Sequence, residues 1–172
     1  MNDDSQIFRN IILSIIKVII VITLAFLVSY SFLNQRTMQG HSMEEQLKSQ
    51  DILFLNRLKP KIFSLKRYDI VVMSDKSIKR IVGLPGERVV INNGYIYIND
   101  VVLPNLYIGR ISNPGIAKNE IYIGRDEYFI IGDNPDSSED SRVSRIGNVK
   151  KKKIEGTIWF RLYPLNRIGI IR

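Results

Sequence analysis

The segment from Ile11 to Leu33 decides most of what this chain can become. Its 23 residues carry one charge, Lys17, and otherwise only scattered hydroxyls and Tyr30 as polar groups. As a helix they reach about 34 Å, enough for a bilayer core. Lys17 lies within two turns of the start, so its amine would snorkel to the nearer interface. A cleavable secretory leader would have a shorter apolar run and a small-x-small site, for which Ser29-Tyr30-Ser31 is a weak match. The expectation is one uncleaved transmembrane helix at 11–33. Residues 1–10 are placed in the cytoplasm through Arg9 and Lys17, and one extracytoplasmic domain occupies 34–172.

A domain of that size buries a real core. The chain has 25 Lys and Arg against 17 Asp and Glu, a net charge of +8. Such a balance suits nucleic acid or an anionic membrane surface. The basic residues are scattered, apart from Lys150-Lys151-Lys152-Lys153, and no helix-turn-helix, zinc-finger or RNA-recognition pattern accompanies them. No nucleic-acid partner is expected. The lysine run reads as a solvated turn, with contact to anionic lipid as its functional alternative. The absence of cysteine excludes disulfides, thiol catalysis and thiolate metal sites. With a single His, a histidine zinc site is not expected either, and no cofactor is implied.

After a polar stretch at 34–50 the chain reads as short strands. Ile52 to Leu55, Ile70 to Met73 and Ile78 to Val82 are apolar runs bounded by turn residues. Arg88 to Ile91, Asn92-Asn93-Gly94, and Tyr95 to Ile98 form a strong hairpin pattern. Tyr128 to Ile131 and Thr157 to Leu162 add two more strands. No sustained helical periodicity follows the anchor. The fold expected is mostly β: an antiparallel sheet domain closed as a partly open barrel. The looser stretch 99–119, with Pro104, Asn113-Pro114 and Gly115, is read as a small insertion beside the main sheet.

The chemistry gathers in three places. Gly40-His41-Ser42-Met43 follows the anchor closely. Gly40 lets a backbone approach a substrate, and an amide near Ser42 would face an oxyanion. A serine nucleophile needs a base, and His41, its sequence neighbour, projects to the opposite side in extended chain. Lys79, in an apolar strand, is the remaining candidate. Burial disfavours the charged amine, and bringing it from about 10.4 to near neutrality costs roughly 4 kcal/mol. A neutral amine there would take the Ser42 proton. The competing reading is an edge-strand lysine that keeps the sheet soluble. Arg80 points to the other face and suits a carboxylate partner. The third place, Gly132 to Arg142, is a turn rich in Asp, Asn and Ser. It lacks the spacing of a calcium loop. There Ser138 would fix the direction of the Lys79 amine, and Asp140 would brace against Arg142 or Arg80.

These blocks stand in a recognisable order. They are Gly40-His41-Ser42-Met43 with Leu47, Arg67-Tyr68-Asp69-Ile70-Val71-Val72, Lys79-Arg80-Ile81-Val82-Gly83-Leu84-Pro85-Gly86, and Gly132-Asp133-Asn134 through Ser138 and Asp140-Ser141-Arg142. From the anchor to the C-terminus the chain resembles the bacterial type I signal peptidases (leader peptidases), and in its single anchor and short body the Gram-positive subgroup. The resemblance implies Ser42 as nucleophile and Lys79 as general base. Ser138 orients the lysine, and Asp133, Asp140 and Arg142 hold the site. It implies a β-rich domain on the outer face of the plasma membrane, in contact with phospholipid and the secretion translocon. The substrates implied are exported preproteins with small residues at the first and third positions before the cut, bound as an added strand. Apolar pockets near Met43, Leu47, Val72 and Ile78 would set that specificity.

Several positions depart from the family pattern. Glu44-Glu45-Gln46 replaces the usual x-Pro-Thr, and added carboxylates near Lys79 would raise its pKa. Tyr68 stands where Gly is usual and Pro135 where Arg is usual. Gly40 lacks the hydroxyl that some relatives use in the oxyanion hole. These changes point to a narrow substrate set. The alternative from a different class is a non-cleaving, chaperone-like accessory of the same fold in surface-protein or pilus assembly. A self-cleaving Ser/Lys regulator would need a DNA-binding domain and an internal Ala-Gly cleavage segment, and neither is visible in these 172 residues.

Overall fold

In a computed structural model the described residues are 3–44, 46–104 and 106–171, and they fall into two compact units, 1–35 and 36–172. The first unit is one helix, α1 (Asp3–Leu33). Within it Gln6–Leu27 is long and apolar enough to cross a membrane, with a mean hydropathy of 2.6 and no buried residue.

Apart from one short α-helix and several 3-10 turns, the chain beyond α1 folds mainly as antiparallel strands. In chain order these are β1 (Gln35–Thr37), β2 (Ile52–Asn56), β3 (Ile70–Met73), β4 (Ile78–Gly83), β5 (Arg88–Asn92), β6 (Tyr95–Ile98), β7 (Val101–Val102), β8 (Ile121–Tyr122), β9 (Glu127–Ile131), β10 (Val149–Lys150), β11 (Ile154–Tyr163) and β12 (Gly169–Ile170). The larger sheet runs β1-β2-β11-β3-β4-β9-β10, with β12 also on β11, and the smaller runs β7-β6-β5-β8. Long β11 pairs with β2 on one side and β3 on the other, with register shifts along both ladders. Such irregularities curl a sheet.

Strands buried on both faces lose the polar-apolar alternation and read as continuous apolar runs. β3 and β4 are buried at every position. One face of β3 and β4 sends Ile70, Val72 and Ile78 into a core shared with Met38, Met43, Leu47 and Leu53. The other sends Val71, Met73 and Ile81 into a core with Ile130, Val149 and Ile154. A third core lies between the two sheets, joining Val82, Phe129 and Ile131 to Val89, Ile91 and Ile96.

The β5–β6 hairpin turns through Asn93 and Gly94, both at positive φ. The stretch 99–119 is more integrated than an excursion beside the sheet: Leu103, Ile108, Ile111 and Ala117 are buried in the inter-sheet core. A short helix, α2 (Lys59–Ile62), packs against β11. Lys151–Lys153 form a single 3-10 turn whose first amide donates to the Asp126 carbonyl.

Candidate active site

Lys79 is the centre of the site because of where β4 sits. The strand is internal, between β3 and β9, so the edge-strand reading of this lysine does not hold. The residue is 5% exposed. Burial lowers its pKa below the usual lysine value, against the opposing pull of Asp140, Asp75 and Glu139 and with help from Arg142. Among the described residues the amine has no hydrogen bond and no ion pair.

Cross-strand register shows what faces that amine. Lys79 lies opposite Val71 on β3, and Arg80 lies opposite Ile131 on β9. Continuing the β4–β9 register by one residue sets Gly132 across from Lys79, and opposed residues in an antiparallel pair project to the same face. The space where a Gly132 side chain would stand is filled by the Ser138 hydroxyl and the Ser42 carbonyl, which a Cβ would overlap. Glycine is required there for close approach. The backbone of Ser42, the Ser138 hydroxyl and Lys79 therefore lie on one face of the sheet. The Asn134 amide donates to the Ser42 carbonyl at 3.0 Å and fixes that contact. The Ser138 hydroxyl is buried and has no partner among the described residues.

Two buried ion pairs frame this cluster. Arg80, on the face opposite Lys79, is fully buried. It binds Asp133 through both Nε (2.7 Å) and Nη2 (2.6 Å), and donates to the Tyr68 carbonyl at 2.9 Å and to Gln46 Oε1 at 2.5 Å. The Tyr107 ring lies 4.3 Å from its guanidinium carbon. Asp140 pairs with Arg142, not with Arg80: Arg142 Nε reaches it at 2.8 Å and Nη2 at 3.0 Å. Its Oδ2 also accepts from the Gly132 amide at 3.1 Å. Arg142 goes on to the carbonyls of Pro135 (2.6 Å) and Asn113 (3.0 Å), which ties the 113–116 loop to the site.

The other expected residues fall as follows. Met43, Leu47, Val72 and Ile78 share one buried core beside the Ser42 turn. Ser42 is half-buried, and Gly40 before it is exposed with φ +79°, a left-handed backbone in which a hydroxyl-bearing residue would be strained. His41 is exposed and its Nδ1 meets Glu44 Oε2 at 3.1 Å. Glu44 is not among the charges acting on Lys79, and Glu45 lies outside the described residues. The carboxylates that raise the Lys79 pKa are Asp140, Asp75 and Glu139. Tyr68 has φ +69°, which explains why a glycine suits the position. Its ring packs edge-on against Tyr107 at 5.4 Å.

Sequence reasoning gave no role to Gly132, Asn134, Gln46, Tyr107 or Asp75. Gly132 and Asn134 stand inside a motif already singled out. Tyr107 and Asp75 carry no local signal. No group of three or more metal-ligating side chains is present among the described residues.

Residues 11–163 match the family described as signal peptidase, peptidase S26. The chain belongs to the type I signal peptidases. These are serine endopeptidases. It is 34% identical over 164 residues to signal peptidase I of Bacillus amyloliquefaciens, covering 88% of this chain and 87% of that one. Signal peptidase I S of Bacillus subtilis (strain 168) is 31% identical over 165 residues, with 88% of each chain covered. A crystal structure of a signal peptidase I from Enterococcus faecalis V583 matches with a TM-score of 0.43 at 27% identity, covering 56% of this chain and 97% of that one.

Proposed function

We propose that this signal peptidase removes N-terminal signal peptides from exported preproteins with a Ser42/Lys79 dyad. The observation that supports the dyad is the buried Ser138 hydroxyl, unpartnered among the described residues, beside the Ser42 carbonyl at Gly132 on the face of the sheet that carries the buried Lys79. Buried polar atoms left unpaired are uncommon and call for a functional reason.

The neutral Lys79 amine takes the Ser42 proton as the hydroxyl oxygen attacks the scissile carbonyl. Backbone amides at Ser42 face the oxyanion, since Gly40 offers no hydroxyl. The C–N bond then breaks, and the Lys79 ammonium returns its proton to the leaving amine. Water, activated by the same amine, hydrolyses the acyl-enzyme. Ser138 accepts from Lys79 and fixes its direction. The Arg80–Asp133 and Asp140–Arg142 pairs hold Ser42 and Ser138 at a constant distance from β4. Small side chains of the substrate sit near Met43, Leu47, Val72 and Ile78, and the replacement of Pro-Thr by Glu45-Gln46 narrows the substrate set. The helix α1 anchors the enzyme in the plasma membrane with the catalytic unit outside, beside phospholipid and the translocon.

The test is cleavage of a preprotein by the detergent-solubilised, lipid-supplemented enzyme, mapped by mass spectrometry. Ser42→Ala and Lys79→Ala each abolish cutting while leaving the far-ultraviolet circular dichroism unchanged. Normal cutting by either variant rejects the dyad.

A further inference from the structure

Lys79 has a second neighbour besides the Ser42 turn. A cleft of about 420 Å³ opens against it, floored by Met73, Ile130, Ile146 and Val149 and walled by Asp75 and Lys153. The floor belongs to the core that carries Val71 and Ile81. It lies on the other side of β3 and β4 from Met43, Leu47, Val72 and Ile78. It is therefore a separate space from the pockets assigned to the residues before the cut. Glu139 and Arg145 at the mouth pair with each other, and Asp140 is held by Arg142. Asp75 and Lys153 have no ion-pair partner among the described residues. The Ser77 amide donates to Asp75 Oδ1 at 2.9 Å and sets its direction. Burial would raise the Asp75 pKa, but the Ser77 hydrogen bonds and the Lys79 charge outweigh it and hold the carboxyl below its usual value, so it is ionised at neutral pH.

We propose that this cleft receives the preprotein residues that follow the scissile bond, seating an apolar side chain on its floor and a basic side chain against Asp75. The inference rests on the dyad reading. If Lys79 returns its proton to the leaving nitrogen as the C–N bond breaks, that nitrogen must lie at Lys79, and the chain it carries must leave along a surface adjoining Lys79. The cleft is such a surface. Its floor suits one apolar side chain, and its walls offer one unpaired anion and one unpaired cation. An extended peptide places alternate side chains on opposite sides, so one residue meets the floor while its neighbours reach the walls. Signal peptidase specificity would then extend past the cut.

The experiment uses the full-length enzyme in detergent and lipid. Its substrates are preproteins identical up to the scissile bond, with Lys or Asp placed singly at each of the next three positions. The wild type cleaves the Lys form with a kcat/KM about fivefold above the Asp form at one of these positions, as expected for an exposed ion pair. Asp75→Asn brings that ratio close to one. Both substrates are measured on the same enzyme at one pH, so any change in Lys79 titration cancels. Ratios near one in the wild type, or a preference that Asp75→Asn leaves intact, overturn the proposal while the dyad stands. If the wild type cuts none of these substrates, nor the parent preprotein, the dyad reading fails and this inference fails with it.

Discussion

The backbone amide of Asn134 donates to the carbonyl of Ser42 at 3.0 Å. Ninety-two positions apart in the sequence, these two residues are joined main chain to main chain. The position of the serine is therefore set by the loop that also carries Asp133 and Ser138. Gly132, just before that loop, makes the approach possible. The site is held by backbone as much as by side chains.

Gly132→Ala tests that arrangement. A methyl group there overlaps the Ser42 carbonyl and the Ser138 hydroxyl. Relief requires the Ser42 turn to move away from β4. Misplacing a nucleophile by about 1 Å costs on the order of a hundredfold. We expect kcat/KM to fall by about that factor, with a smaller effect on stability of roughly 1–3 kcal/mol from overpacking. Steady-state kinetics and urea denaturation of the same preparation give both numbers.

The pH dependence follows from Lys79. Its pKa lies below the usual lysine value through burial, and only the neutral amine is a base. Activity therefore rises with pH through that lowered pKa. Asp75 raises the Lys79 pKa, so Asp75→Asn moves the acid limb of the kcat/KM profile to lower pH. A limb that moves up, or stays in place, contradicts the electrostatic assignment. The same shift appears in stability. Between the folded and unfolded pKa values the unfolded chain binds the proton that the folded chain releases, so stability increases with pH across that window. Lys79→Met removes this slope along with all activity, and denaturation measured at several pH values shows it.

Asp133→Ala leaves the fully buried Arg80 without its carboxylate. Breaking one side of a buried pair costs about 3–5 kcal/mol. The Tyr68 and Gln46 oxygens still accept from Arg80, which points to the lower part of that range. Equilibrium unfolding in urea measures the loss.

Tyr68 predicts an inverted order of substitutions. The residue sits at φ +69°, where a side chain costs roughly 1 kcal/mol that glycine does not. Both Tyr68→Ala and Tyr68→Gly lose the ring contact with Tyr107. The glycine variant should nevertheless be the more stable of the two by about 1 kcal/mol, the reverse of the usual ranking in regular structure. Thermal unfolding of the two variants side by side decides it.

The strands that could be read in advance were those with four or more apolar or alternating residues, such as Ile70–Met73 and the Arg88–Ile98 hairpin. Two-residue strands such as Val101–Val102 and Gly169–Ile170 carry too short a pattern to stand out. They form because longer neighbours offer unpaired backbone groups. The stretch 99–119 looked loose because its buried residues, Leu103, Ile108 and Ile111, follow no period. Their spacing matches an irregular path over the small sheet.

Local order along the chain determined the apolar helix, the β class and the family, and it pointed to the serine and lysine proposed as the reacting groups. These follow from periodicity, composition and short motifs, which survive without knowledge of distant contacts. Tertiary structure alone decided that β4 is internal, so that Lys79 is buried and its amine disfavours the proton. It also decided that Asp133 pairs with Arg80 and Asp140 with Arg142, and that Gly132 is the gap through which Ser42 reaches Lys79's face. The burial of Lys79, the Arg80–Asp133 pair and the approach of Ser42 to Gly132 depend on strand register and on groups dozens of residues apart, while the choice of Arg142 over Arg80 by its near neighbour Asp140 depends on how the loop folds; neither desolvation nor cross-strand proximity is encoded in any single stretch of sequence.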